Sequence, residues 1–162
     1  MDSEEHADLV ERLSETVADA GITIAVAESL SSGALSAAIG RAEGAGAWFG
    51  GGVVAYRMSS KTRALGVDPD LDPCSAECAR QLAEGVRDVI GADLAVSITG
   101  VGGPDWIDGH APGTVYVGVS SPAGVTAERY AFDGDPAAVV EQSVLAALRM
   151  ITDQARRLVG AR

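Results

Sequence analysis

Lys61 is the first candidate for chemistry, because it is the only lysine among twelve cationic side chains and the other eleven are arginines. A guanidinium stays protonated under nearly all conditions, whereas a desolvated lysine amine can lose its proton. An amine in that state can act as a general base or can activate a nucleophile. The alternative is that one lysine survives by chance in an arginine-rich composition, and the residues around Lys61 must decide between the two interpretations.

Three segments that follow predicted strands carry groups that could work with Lys61: residues 28–33, 56–61 and 99–104. Ligands of open α/β sheets bind outside the carboxyl ends of the strands, so these segments are predicted to meet at one edge if the strands run parallel. An acid, several hydroxyls and a proton acceptor at one edge suit the hydrolysis of an amide or ester. The candidate catalytic residues are Lys61 and Tyr56, and the candidate substrate-binding residues of these segments are Glu28, Ser29, Ser31, Gly33, Thr99 and Gly100.

Some of these residues also have plainer interpretations. Ser31 and Ser32 precede a predicted helix, and serine hydroxyls at such positions commonly cap the helix. The glycines of residues 99–104 match neither the phosphate-binding loop nor the dinucleotide fingerprint, which favours a turn.

Strands and helices alternate along the chain, and this order positions the three segments. Hydrophobic periodicity predicts helices near residues 3–20, 34–39, 59–65, 75–90 and 136–158, and strands near residues 23–27, 53–56, 94–99, 114–119 and 125–132. The last two strands are close enough to form a hairpin. We therefore predict an α/β fold over residues 1–162: one domain, a three-layer α/β/α sandwich with a mixed, mostly parallel sheet.

Composition excludes several classes of function. The net charge of -11 and the lack of a basic cluster argue against a nucleic-acid partner. No apolar stretch is long enough for a membrane span, and acidic residues follow Met1, so we expect a cytoplasmic protein with no membrane partner. Cys74 and Cys78 have no histidines near them, so we expect no metal site and no cofactor. The expected partner is a small molecule, with a nucleotide as one option.

The ordered motifs resemble the C-terminal domain of the CinA (competence/damage-inducible) family over about residues 14–148. The motifs are AESLSSG at residues 27–33, WFGGGVVAY at 48–56, TGVGGP at 99–104 and GTVYV at 113–117. This resemblance implies a metal-independent amidohydrolase of pyridine nucleotide salvage, which converts nicotinamide mononucleotide to nicotinic acid mononucleotide and ammonia. It also implies a serine nucleophile that Lys61 activates, with Tyr56 nearby.

Three residues depart from the family pattern. Gly46, which we include among the candidate substrate-binding positions, stands where the resemblance implies the serine nucleophile, and Pro136 and Val140 stand where arginines are expected to hold the phosphate. The activity is therefore predicted to be reduced, lost or redirected. Ser29, Ser31 or Ser32 could supply another hydroxyl, and Arg57 or Arg63 another cation.

The alternative function is a non-catalytic ligand-binding or assembly module with the same fold. A hydroxyl within hydrogen-bonding distance of Lys61 favours the enzyme, and a surrounding of backbone and apolar atoms alone favours the module. The resemblance and the small-residue surface also predict a homodimer. Residues 50–52 and the pair Trp48 and Phe49 are candidates for its interface, although Trp48 suits the core equally well.

Overall fold

The computed structural model describes residues 3–162, and these residues form five α-helices and five strands. The helices are α1 (Ser3–Val17), α2 (Ala34–Gly40), α3 (Met58–Leu65), α4 (Ala76–Ile90) and α5 (Pro136–Gly160). The strands are β1 (Ile24–Glu28), β2 (Phe49–Val54), β3 (Leu94–Gly100), β4 (Thr114–Ser121) and β5 (Gly124–Ala131), and a short 3-10 turn, Ala45–Ala47, precedes β2. Every predicted element is present, and the largest difference is β2, which begins at Phe49 and includes the glycine run.

The five strands form one mixed sheet in the order β2-β1-β3-β4-β5. β1 lies between β2 and β3 and is parallel to both, whereas β4 is antiparallel to β3 and forms the predicted hairpin with β5. Four strands therefore run in one direction and β4 alone runs in the other, as the prediction of a mostly parallel sheet required. The ends of β1, β2 and β3 at Glu28, Val54 and Gly100 define what we call the carboxyl edge of the sheet.

Helices cover both faces of the sheet, which confirms the three-layer architecture. α1, α2 and α5 pack together on one face, and α3 packs against α4 on the other. The core under α1, α2 and α5 contains large side chains such as Leu13, Trp48 and Leu148. The core under α3 and α4 is built from smaller ones, including Ala25, Ala27 and Val86. Among residues 3–162, no helix combines the length and the apolar character that a membrane span requires.

Two glycines allow close packing, one of α4 on the sheet and the other of α3 on α4. A Cβ atom on Gly118 of β4 would overlap the carbonyl oxygen of Ala79, and a Cβ atom on Gly85 of α4 would overlap that of Leu65. The hydroxyl of Ser97 also donates a hydrogen bond of 2.6 Å to the carbonyl of Ala79. α4 is thus fixed on the sheet and α3 is fixed on α4, and this places α3 at the carboxyl edge.

Candidate active site

Lys61 lies in α3 with only 1% of its surface exposed. Its Nζ atom is 2.9 Å from Ser29 Oγ and donates a 2.8 Å hydrogen bond to the carbonyl oxygen of Tyr56. α3 begins two residues after Tyr56, so the lysine side chain turns back over the end of β2 and reaches the end of β1. A hydroxyl therefore lies within hydrogen-bonding distance of Lys61, which is the geometry that favours the enzyme over the non-catalytic module.

The surroundings of Lys61 favour its neutral form. Burial lowers the pKa of the Lys61 amine from its usual value, and a smaller effect of the Cys78 thiol raises it. No ion pair among the described residues joins Lys61 to a carboxylate. An amine without a charged partner in a buried site can give up its proton near neutral pH more readily than an exposed lysine.

Ser29 occupies the first position after β1, in a sharp turn that leads to α2. It is 7% exposed, and its amide donates to the carbonyl of Ile98 in β3, which fixes the start of the turn. Three residues later Ser32 has a φ of 50°, in the left-handed region that non-glycine residues seldom adopt. In the nucleophile turn of other α/β enzymes the strained residue is the nucleophile itself, whereas in this turn the strained residue is Ser32 and not Ser29.

Glu28 holds the start of α2. Its two carboxylate oxygens accept hydrogen bonds of 2.9 Å from the amides of Leu35 and Ser36, and the Ser36 hydroxyl adds one of 2.7 Å. The prediction that serine hydroxyls cap α2 is wrong, because the N-cap residue is Gly33 and no side chain of that residue is available to bond. The helix amides are satisfied instead by a carboxylate from the preceding strand, so this fully buried acid positions the Ser29 turn.

Thr99 and Gly100 shape the third segment. The Thr99 hydroxyl donates a 2.6 Å hydrogen bond to the carbonyl of Pro73, in the connection between α3 and α4. Gly100 has a φ of 149°, and a Cβ atom there would overlap the carbonyl oxygen of Thr114. Asp72 and His110 tie the same connection to the β3–β4 loop through a contact of 2.6 Å. Thr99 and Gly100 thus fix the wall of the site next to β1.

Tyr56, Ser31 and Gly33 also lie at the carboxyl edge. The Tyr56 side chain is 65% exposed, so its part in the Lys61 contact comes from its backbone. The Ser31 hydroxyl is buried and has no hydrogen-bond partner among the described residues. Gly33 begins α2 beside the side chain of Val54. The three segments therefore meet at one edge, as predicted.

Gly46 is the one candidate that the fold separates from the others. It lies in the 3-10 turn before β2, and the amide of Ile24 at the start of β1 donates to the carbonyl of Trp48. Ser29 lies at the other end of β1, and a strand rises about 3.3 Å per residue, so Gly46 and Ser29 are roughly 15 Å apart. Within one chain, Gly46 cannot contribute to the Lys61 site.

Cys78 is the neighbour of Lys61 that the sequence did not reveal. It lies in α4 with no exposed surface, and burial raises the pKa of its thiol, whereas the nearby Lys61 and the Thr99 hydroxyl lower it. Its position on the apolar side of α4 predicts a core residue, and no sequence signal distinguishes it from one. Among the described residues, no three His, Cys, Asp or Glu side chains are grouped so that they could hold a metal ion.

The fold and the site define a three-layer α/β protein with a buried serine–lysine pair at the carboxyl edge of its parallel strands. Residues 6–155 match the profile of the CinA C-terminal domain, and the chain belongs to this family.

Similar proteins agree with this assignment. A putative competence-damage inducible protein of Desulforamulus reducens is 42% identical over 136 residues, 82% of this chain and 33% of that protein. A CinA-like protein of Geobacter sp. is 38% identical over 138 residues, 82% of this chain and 33% of that protein. The chain thus spans about a third of the length of these curated relatives.

Solved structures have the same fold. The crystal structure of a CinA superfamily protein from Enterobacter cloacae superposes with a TM-score of 0.89 at 31% identity and covers 93% of this chain and 92% of that one. The CinA superfamily protein from Escherichia coli gives 0.87 at 26% identity and covers 93% and 91%.

Proposed function

We propose that this chain is an amidohydrolase that cleaves the carboxamide of nicotinamide mononucleotide, with Ser29 as nucleophile and Lys61 as base. The observation that carries the proposal is the buried contact of 2.9 Å between Lys61 Nζ and Ser29 Oγ. A serine hydroxyl is a weak nucleophile until a neighbouring base takes its proton. Lysine performs this function only when it is neutral, and burial of Lys61 supports that state.

The first half of the reaction transfers one proton and forms one bond. Lys61 Nζ donates to the Tyr56 carbonyl, and its lone pair accepts the hydroxyl proton as Ser29 Oγ attacks the carboxamide carbon. The resulting ammonium then gives this proton to the amide nitrogen, the carbon–nitrogen bond breaks, and ammonia leaves. The acyl group remains on Ser29 as an ester.

The second half reverses the roles with water. Lys61 accepts a proton from a water molecule that attacks the ester carbonyl, and it returns the proton to Ser29 Oγ as the carboxylic acid departs. The acid then loses its remaining proton to the released ammonia or to water. The amides of Leu30 and Ser31, which follow the nucleophile, donate to no acceptor among the described residues. They are the candidate donors to the oxyanion, because an amide directly after the nucleophile takes that role in other strand–turn–helix sites.

Recognition of the phosphate has to differ from what the family pattern implies. Pro136 is the first residue of α5, and Val140 packs against the core under α1, α2 and α5. Neither side chain is a cation that could bind a phosphate. Arg57 is exposed and directly follows Tyr56 at the carboxyl edge, which makes it the replacement best placed to receive a phosphate. If Arg57 does not serve, the same site would prefer an unphosphorylated carboxamide such as nicotinamide riboside.

The test is ammonia release from nicotinamide mononucleotide at high protein concentration, with nicotinamide riboside in parallel. Ser29→Ala and Lys61→Met are compared with Ser59→Ala and Arg156→Met, which remove a serine hydroxyl and a cation at exposed positions of α3 and α5. We expect turnover by the wild type and both controls, and a loss of at least about 10³-fold in the two site variants.

Other results of the same experiments identify the substrate and test the non-catalytic alternative. An Arg57→Gln variant with a higher KM for the nucleotide and an unchanged KM for the riboside would assign the phosphate contact to Arg57. Calorimetric binding of either compound with no ammonia release from the wild type would instead establish the ligand-binding module. Turnover that survives in Ser29→Ala would remove Ser29 from the reaction.

A further inference from the structure

Only two of the aromatic side chains are strongly exposed, and both follow strands that end at the carboxyl edge. The chain has two tryptophans, three tyrosines and two phenylalanines. Of these, Tyr56 is 65% exposed and Trp106 is 68% exposed, whereas the others are buried or half-buried. Tyr56 follows β2 and Trp106 follows β3, and β1 lies between these two strands. The segments with exposed rings therefore leave the sheet on either side of the Ser29 turn.

Trp106 is part of a short hairpin with a fixed backbone. The backbones of Ile107 and His110 exchange two hydrogen bonds, of 3.1 and 2.9 Å. Asp108 and Gly109 between them have φ angles of 48° and 83°, and the common two-residue hairpin turn requires positive φ at both positions. A ring on a fixed backbone loses little conformational entropy when a ligand packs against it, so an exposed tryptophan at this position suits ligand binding.

The hairpin is attached to the candidate active site at both of its ends. A Cβ atom on Gly102 would lie 3.8 Å from Leu30 Cδ1, and Leu30 directly follows Ser29. The His110 ring contacts Asp72 at 2.6 Å, which ties the hairpin to the connection between α3 and α4. The tryptophan is four residues from Gly102, so its Cα atom is at most about 14 Å from the contact with Leu30. The hairpin therefore forms the side of the site next to β3.

The charge of the hairpin favours a cation. Residues 101–113 contain two exposed carboxylates, Asp105 and Asp108, and no lysine or arginine. The face of an aromatic ring is the negative part of its quadrupole, and among aromatic side chains tryptophan attracts a cation most strongly. The carboxylates on both sides of Trp106 contribute to the same negative field. A flat, positively charged ring is complementary to this surface in both shape and charge.

We propose that Trp106 stacks on the ring of the substrate and selects rings that carry a positive charge. The substrate class is then a pyridinium carboxamide with a substituent on the ring nitrogen, to which nicotinamide mononucleotide and nicotinamide riboside both belong. Free nicotinamide has the same carboxamide on a neutral ring, so it gains little from the indole face. This inference rests on the proposed function, because the carboxamide has to reach Ser29.

Fluorescence quenching tests the contact directly. The ligands are nicotinamide methylated at the ring nitrogen, which is a cation, and nicotinamide itself, and the proteins are the wild type, Ser29→Ala and Trp106→Phe. The only other tryptophan is Trp48, which is buried, so the signal lost in Trp106→Phe comes from Trp106. We expect saturable quenching of Trp106 by the methylated compound, with a Kd at least about 3-fold lower than for nicotinamide. Quenching that rises linearly with both ligands reports collision alone and would overturn the proposal.

Calorimetry measures how much the indole contributes. We expect the Kd of the methylated compound to rise about 3- to 30-fold in Trp106→Leu and by less in Trp106→Phe, which keeps an aromatic ring. Ile107→Ala is the matched control, because neighbouring residues of a strand point to opposite sides and Ile107 is 55% exposed on the same hairpin. It should leave this Kd unchanged. An equal loss in Ile107→Ala, or an equal loss of affinity for the neutral ligand in Trp106→Leu, would contradict selection by charge.

Ammonia release separates this inference from the proposed function. In Trp106→Leu we expect a higher KM for the nucleotide and the riboside with little change in kcat, because the ring contact is made before the reaction as well as during it. An unchanged KM in an active Trp106→Leu would refute the role of Trp106 and leave the proposed function intact. If the wild type binds the methylated compound through Trp106 and releases no ammonia, the proposed function fails and the recognition of the charged ring remains.

Discussion

Replacement of Lys61 by methionine should remove a specific pH dependence of stability. Burial lowers the pKa of Lys61 in the folded chain below the usual 10.5, which the unfolded chain retains. Between these two values the unfolded chain binds a proton that the folded chain does not. The free energy of unfolding therefore rises with pH through this window, and the slope disappears above 10.5 and below the folded-state pKa.

The size of the effect follows from one proton. A full difference of one proton gives a slope of about 1.4 kcal/mol per pH unit. Methionine fills a similar volume and does not titrate. As the pH rises, the free energy of unfolding of the wild type should therefore increase relative to that of Lys61→Met by up to about 1.4 kcal/mol per pH unit. Cys78 acts in the opposite direction above pH 9.0, because burial raises the pKa of its thiol, but both proteins contain this thiol and its effect largely cancels in the comparison.

The assay is urea denaturation of the wild type, Lys61→Met and Arg63→Met at intervals from pH 6 to 10.5, the upper end of the window. Arg63 is an exposed cation of the same helix, and its replacement should leave the slope of the wild type unchanged. Parallel curves for the wild type and Lys61→Met over the whole range would refute the reasoning, because they would mean that the buried amine keeps its proton.

Three other sets of substitutions test single contacts. Glu28→Gln should lower the free energy of unfolding in urea by about 1.5–3 kcal/mol, since the amide turns a donor toward the start of α2. Gly118→Ala should cost about 1–3 kcal/mol in the same assay, because its Cβ overlaps a carbonyl of α4, whereas Gly46→Ala, with open space, should change stability by less than about 0.5 kcal/mol. Ser29→Ala and Lys61→Met should each lower kcat as much as the double variant does, because a nucleophile and its base act as a unit.

Each of these three predictions would be contradicted by a specific result. An unchanged Glu28→Gln variant would mean that the start of α2 finds other acceptors. Equal costs at Gly118 and Gly46 would contradict the close packing of α4. Losses at Ser29 and Lys61 that multiply in the double variant would mean that the two residues act in separate steps.

The fold could be predicted from the sequence because its elements follow simple periodicities. The apolar side of α4 and the buried run of β3 each identify their element without any tertiary information. The start of β2 could not be predicted, because glycines are depleted in strands and a run of three glycines is more typical of a turn. Its glycines are required by neighbours distant in sequence: a Cβ atom on Gly50 would lie 2.7 Å from Ile90 Cγ2, and one on Gly52 would overlap the side chain of Ser36.

The site could be predicted in outline only. Parallel strands place the segments after β1, β2 and β3 together, and Lys61 is identified by its uniqueness. Which of Ser29, Ser31 and Ser32 faces Lys61 depends on the direction of each side chain in a turn, and spacing along the chain does not give that direction. The contact with Cys78 likewise depends on how closely α3 and α4 pack.

The position of Gly46 changes what its missing side chain implies. A serine at Gly46 would lie at the amino ends of the strands, roughly 15 Å from Ser29 in the same chain. The partner of Lys61 in one chain is therefore Ser29, and the absence of a hydroxyl at Gly46 does not by itself remove the nucleophile. Gly46→Ser should therefore leave ammonia release unchanged, and a rise in turnover would mean that a hydroxyl at this position does take part in the reaction.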